Sequence, residues 1–189
     1  MQAYNSPLQS DFSGGNDAET KPTINFVIVS EDLPRGVLAK HLYDDLVDRM
    51  GEELGFTYEV WPYRGLKDPH LRELAAHAVA EADVILFAVS GREDLPVEVK
   101  TWMQTCLGLS DRTGALVMLT DQNNGSGEHI ESICSYLRDS ASKAGLEFLA
   151  NTETSAGDCE DALIQNISER APLSLSNRIR FGSGSGSGG

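Results

Sequence analysis

Three short stretches hold the side chains most able to grip a ligand. They are Ser30–Gly36 (SEDLPRG), Val89–Pro96 (VSGREDLP) and Thr120–Gly127 (TDQNNGSG). A bound phosphate needs donors: amides at a helix N-terminus, hydroxyls or a guanidinium. In the first stretch Ser30, Arg35 and Gly36 can supply them. Glu31 and Asp32 work against a phosphate unless they point away from it. The same two acids could instead hold a divalent metal, or solvate the loop and favour a helix N-terminus through the macrodipole. All three readings stand at this point. In the second stretch Ser90 and Arg92 are donors, and Gly91 permits close approach or a positive φ. In the third, Asn123, Asn124 and Gly125 form a turn able to curl over a ligand, or an ordinary exposed turn.

Other reactive residues form no constellation. Cys106 and Arg112 have the C-x5-R spacing of a phosphatase loop, but such a loop must follow a strand. Cys106 sits in a helical pattern that precedes one. His41 and His77 fall within helical patterns, His70 opens one and His129 lies near the third loop, so no two histidines pair. Trp61, Tyr63 and Trp102 suit packing or a contact surface.

Charge and ends bound the function further. The chain has 189 residues and a formal net charge of −14, with 40% hydrophobic and 23% charged residues. That composition suits one globular domain. The acid excess argues against nucleic acid and against an anionic membrane as partner. There is no apolar run of membrane-spanning length and no secretory leader pattern, and three cysteines without CxxC spacing read as reduced thiols in a cytoplasmic protein. Residues 1–22 read as a disordered lead-in, 23–154 as the domain, 155–181 as a helix and arm, and 182–189 (GSGSGSGG) as a Gly/Ser linker or added tail.

The elements that must position the three loops alternate regularly. Short β-branched apolar runs predict strands at 24–30, 56–61, 83–89, 114–120 and 146–150. Between them, apolar residues stepping by three and four predict helices through 37–54 (with Pro34 able to sit in the first turn, and ended by Gly55), 69–82, 95–108 and 128–144, with a further short helix near 160–170. Strands apolar on both faces require helices on both faces of a parallel sheet. Right-handed crossovers then favour a three-layer α/β fold, flavodoxin-like, with five strands in the order 2-1-3-4-5. Ligands in such sheets bind outside the carboxyl ends of the strands, near the switch point between strands one and three. All three loops gather there.

The run Ala82–Leu107, ADVILFAVSGREDLPVEVKTWMQTCL, resembles the third-strand region of flavodoxin-like NAD(P)H-dependent FMN reductases, with Pro96, Lys100 and Trp102 in the family's cadence. The block from Gly114 to Leu149 is similar to that family's fourth strand, Gly-rich loop, helix and fifth strand. SEDLPRGVLAKHL stands where the family has its phosphate loop. The resemblance covers roughly residues 24–150. It implies FMN held by Ser30, Arg35 and Gly36, bordered by Ser90, Gly91 and Arg92 and by Asn123, Asn124 and Gly125, with NAD(P)H as co-substrate and hydride transfer carried by the flavin. A receiver-like reading is favoured by Glu31, Asp32 and Thr120, yet strand three offers no acceptor Asp at its end and strand five no Lys. Two functions therefore remain: an FMN-dependent reductase, or a flavin-free interaction or signalling module, pseudo-receiver-like, that kept the fold. A homodimer or a protein partner is compatible with either.

Overall fold

The structure is a computed structural model that describes residues 21–107, 114–120, 127–151 and 158–169. Five strands are present: β1 (Thr23–Ser30), β2 (Gly55–Pro62), β3 (Val84–Val89), β4 (Ala115–Thr120) and β5 (Glu147–Ala150). They form one parallel sheet in the predicted order β2-β1-β3-β4-β5. The helices are α1 (Leu33–Met50), α2 (Pro69–Glu81), α3 (Val97–Leu107) and α4 (Gly127–Ala144). A further helix, α5, covers 158–169.

The sequence periods explain the layers. In β1, Ile24, Phe26 and Ile28 point to one face and Val27 and Val29 to the other, as pleating requires. The first set packs with Ala39, Tyr43 and Leu46 of α1 and with Cys159, Leu163 and Ile167 of α5. The second set packs with Ala75 and Val79 of α2, Trp102 of α3 and Ile133 and Leu137 of α4. Strands β3 and β4 are buried along their whole length, which is why they read as unbroken apolar runs.

The first helix has Pro34 in its first turn, as expected, and differs from its predicted bounds at its C-terminal end. It starts at Leu33 because the Asp32 side chain accepts from the Arg35 amide at 3.0 Å, with Pro34 in the first turn. It stops at Met50, with Gly51 as C-cap. Gly55 does not end the helix; it opens β2 beside Thr23, where a Cβ would stand 3.0 Å from the Thr23 hydroxyl oxygen. The predicted helix near 160–170 is observed. Residues 1–20, the arm beyond 169 and the Gly/Ser tail lie outside the described residues. Among the described residues no helix is long and apolar enough to cross a membrane.

Leu163 is fully buried, so α5 is part of the core. Leu163→Ala should lower stability by about 2–5 kcal/mol in chemical denaturation. A loss well under about 1 kcal/mol would mean that α5 does not hold the sheet.

Candidate functional site

The carboxyl edge of the sheet carries a row of small polar residues. Ser30 ends β1, Ser90 follows β3, Thr120 ends β4 and Asn151 follows β5. All four are buried, at 2%, 2%, 2% and 6% exposure. Asn151 replaces a missing ladder partner: its amide nitrogen donates to the Thr120 carbonyl and its oxygen accepts from the Thr120 amide, each at 2.9 Å. Thr120 Oγ1 and the Tyr63 hydroxyl are buried without a hydrogen-bond partner among the described residues. Tyr63 donates its backbone amide to the Ser30 carbonyl at 2.9 Å. Burial, first, and the nearby Glu31 carboxylate push its phenol pKa far up, so it stays protonated.

Glu31 closes the switch point. Its amide donates to Ala88 O at 3.0 Å, continuing the β1–β3 ladder by one residue. Its carboxylate accepts from Ser90 N at 2.6 Å and from Ser90 Oγ at 2.8 Å. Ser90 Oγ in turn accepts from the Arg92 amide at 3.2 Å. Gly91 follows at φ 68°, the left-handed region that glycine enters without strain. Lys100 and Asp94, 2.6 Å apart, tie the far end of this loop to α3, and that hydrogen bond is the main reason the Asp94 carboxyl lies below its ordinary range.

The N-terminus of α1 is occupied in the same manner. Pro34 has no N–H, the Arg35 amide goes to the Asp32 side chain, and the Gly36 amide goes to the Asp32 carbonyl at 3.0 Å. Among the described residues, Leu33 alone of the first four helical positions is left to offer an amide to a ligand. The Arg35 guanidinium is buried and sits 3.4 Å from the Asp32 carboxylate. Glu31 and Asp32 thus do not point away: one holds the β3 loop and the other caps α1. Among the described residues no group of three metal-ligating side chains is present.

Of the nine residues nominated from sequence, Ser30, Arg35, Gly36, Ser90 and Gly91 come together at the ends of β1 and β3. Arg92 is adjacent and exposed. Asn123, Asn124 and Gly125 lie outside the described residues. Cys106 is buried in α3, and burial pushes its thiol up to about 12; Arg112 lies outside the described residues.

A surface that the sequence reading missed adjoins the site. A groove of about 410 Å³ opens between the start of α1 and β2, lined by Leu33, Val37, Tyr58, Val60 and Pro62 beside Ser30, Glu31 and Asp32. Leu33 is 81% exposed, and Val37, Tyr58 and Val60 are each over 40% exposed. Tyr58 leans on Tyr43, with ring centroids 4.7 Å apart, and Lys40 lies 5.1 Å over the Tyr58 ring. The signal for this groove was the alternation in FTYEVW, which puts Tyr58 and Val60 on one face of an edge strand.

No family model and no curated protein matches the chain. Among solved structures it is similar to a short-chain flavodoxin associated with a non-canonical PDU bacterial microcompartment, with 13% identity and a TM-score of 0.51 over 79% of this chain and 98% of that one. It also aligns with general stress protein 14 from Treponema denticola, solved in complex with FMN, with 14% identity and a TM-score of 0.41 over 79% and 99% of the two chains. The first likeness shows a flavodoxin-like fold.

Removing the Glu31 carboxylate strands the Ser90 amide and hydroxyl. Glu31→Ala should cost about 1–3 kcal/mol in urea denaturation; a change below about 0.5 kcal/mol would mean the bridge is not formed. For Cys106 the folded pKa lies above the unfolded one, so its contribution to stability is complete below pH 9.0 and is lost as pH rises toward about 12. In a variant with Cys134 and Cys159 replaced by Ser, Cys106 should resist a disulfide reagent at pH 8 until denaturant is added. Rapid labelling of the native state would contradict its burial.

Proposed function

We propose that this chain is a flavin-free interaction module on a flavodoxin-like fold, and that its contact surface is the groove between α1 and β2. One observation carries the reading: the Arg35 amide and the Ser90 amide and hydroxyl, donors that would face a flavin phosphate, are satisfied by the chain's own acids. Asp32 takes the Arg35 amide and Glu31 takes the Ser90 amide and hydroxyl. A phosphate arriving there would have to displace two carboxylates and meet their charge at contact range, where repulsion amounts to several kcal/mol. The described residues therefore do not fit the FMN phosphate that the reductase resemblance implies. The exposed apolar side chains nearby need a partner more than the strand ends do. Burying one such leucine or valine contributes about 1.5–3 kcal/mol.

The test is a titration of the purified chain with FMN, followed by flavin fluorescence. No quenching is expected at about 100 µM FMN, which places any affinity weaker than about 5.5 kcal/mol. The double variant Glu31→Gly with Asp32→Ser keeps a capping hydroxyl and removes both charges, and should strengthen FMN binding about tenfold or more. Stoichiometric micromolar binding by the unaltered chain would overturn the reading.

A further inference from the structure

The partner surface has a second feature beside the groove. β2 is the outermost strand of the sheet, eight residues long, and its outer backbone edge has no neighbouring strand among the described residues. Its side chains split cleanly. Tyr58 and Val60 face the groove, and Glu59 stands exposed on the opposite face. A strand added to this edge must carry apolar residues on the groove face and favours a cation against Glu59.

The chain contains such a segment. Residues 170–181 read RAPLSLSNRIRF. Leu173, Leu175, Ile179 and Phe181, with Asn177 among them, alternate with Ser174, Ser176, Arg178 and Arg180, the period of a strand with one largely apolar face. The segment has three arginines and no acid, within a chain of net charge −14. We propose that residues 172–181 of one copy add as a sixth strand to the β2 edge of a second copy, so that two chains exchange arms. Leu175, Ile179 and Phe181 would lie along the groove face by Tyr58 and Val60, and Arg178 or Arg180 against Glu59. The inference rests on the groove being a contact surface, and it names the occupant.

Exchange, rather than folding back on the same chain, follows from where α5 ends. α5 begins beside the end of α1, where Arg49 meets Glu160 at 3.2 Å and Asp161 at 2.8 Å. Near its end the Asn166 side chain bonds Glu147, the first residue of β5. The arm therefore leaves at the β5 side. Four strand spacings, about 19 Å, separate β5 from β2. Position 173 lies four residues past Glu169 and reaches at most about 14 Å. The chain's own β2 would consume the first half of the alternating segment as a bridge. Its own β5 edge is within reach but has the wrong hand. The β3-to-β4 and β4-to-β5 crossovers run through α3 and α4 on one face, whereas α5 lies on the other face, so a parallel strand beyond β5 would need a left-handed crossover. β2 of another copy suits the side-chain pattern and the charge and imposes no crossover of the wrong hand.

The experiment measures molar mass by sedimentation across a dilution series of the full chain. A concentration-dependent dimer is expected, and deleting residues 170–189 should leave a monomer with an unchanged circular dichroism spectrum. Glu59→Arg alone, or Arg178→Glu with Arg180→Glu, should weaken the dimer about tenfold, and all three changes in one chain should restore most of the loss. A full chain that is monomeric at about 100 µM, or a deletion that leaves the molar mass unchanged, overturns the exchange. So does failure of the combined charge reversal to restore affinity. The FMN titration is read separately: a monomer that ignores FMN ends this proposal alone, whereas FMN binding ends the flavin-free reading whatever the molar mass.

Discussion

Glu31 stands one residue past the end of β1, and its side chain reaches the amide and hydroxyl of Ser90 past the end of β3. β1 and β3 are the strands from which the chain departs to opposite sides, α1 covering one face and α2 to α4 the other. A parallel sheet is open at that point, and what fills the opening sets what the edge can bind. Here a carboxylate fills it. Asp32 continues the effect into the next turn by capping α1 and drawing Arg35 inward. Two adjacent acids thus convert a site of free donors into a satisfied one, and polarity at the edge is turned inward to Ser30, Ser90, Thr120 and Asn151.

The neighbouring surface has the opposite character. Packing of Phe26, Tyr43 and Phe56 brings Tyr58 up to the rim of the α1 layer, and Lys40 lies over its ring. Leu33, Val37 and Val60 are exposed among the described residues. Exposed apolar residues grouped around a concavity mark contact surfaces more often than solvent-facing accidents do. The molecule thus has a polar edge whose Ser90 and Arg35 amides are taken by its own acids, beside an exposed apolar groove.

Most of the architecture could be read from residue patterns. Unbroken apolar runs such as DVILFAV identified central strands, and the alternation of strands and helices left one simple order. The loop after β3 was found too, with Gly91 in the left-handed conformation its type allows. The errors have physical causes. Gly55 reads as a helix stop, but the helix runs out at Met50 with Gly51 as its cap. Asp32 at a helix N-terminus was one of three open readings, but the role of Glu31 was not legible, because a carboxylate's meaning depends on which amide lies within 3 Å of it. For Glu31 that amide belongs to Ser90, far along the chain. The groove escaped notice because it joins residues of α1 and β2 that no single pattern links.

The contact between Arg49 and the start of α5 also sets an order of events. On the α1 side, Val84, Leu86, Ala115 and Val117 of the two central strands share a cluster with Cys159, Leu163 and Ile167. Those three residues come last among the described elements. A chain emerging from the ribosome therefore carries an apolar wall that α1 covers in part after all five strands are made, and among the described residues α5 completes the cover. Assembly of this side depends on contacts more than a hundred positions apart, which form slowly. The same wall is the surface most open to misassembly between nascent chains.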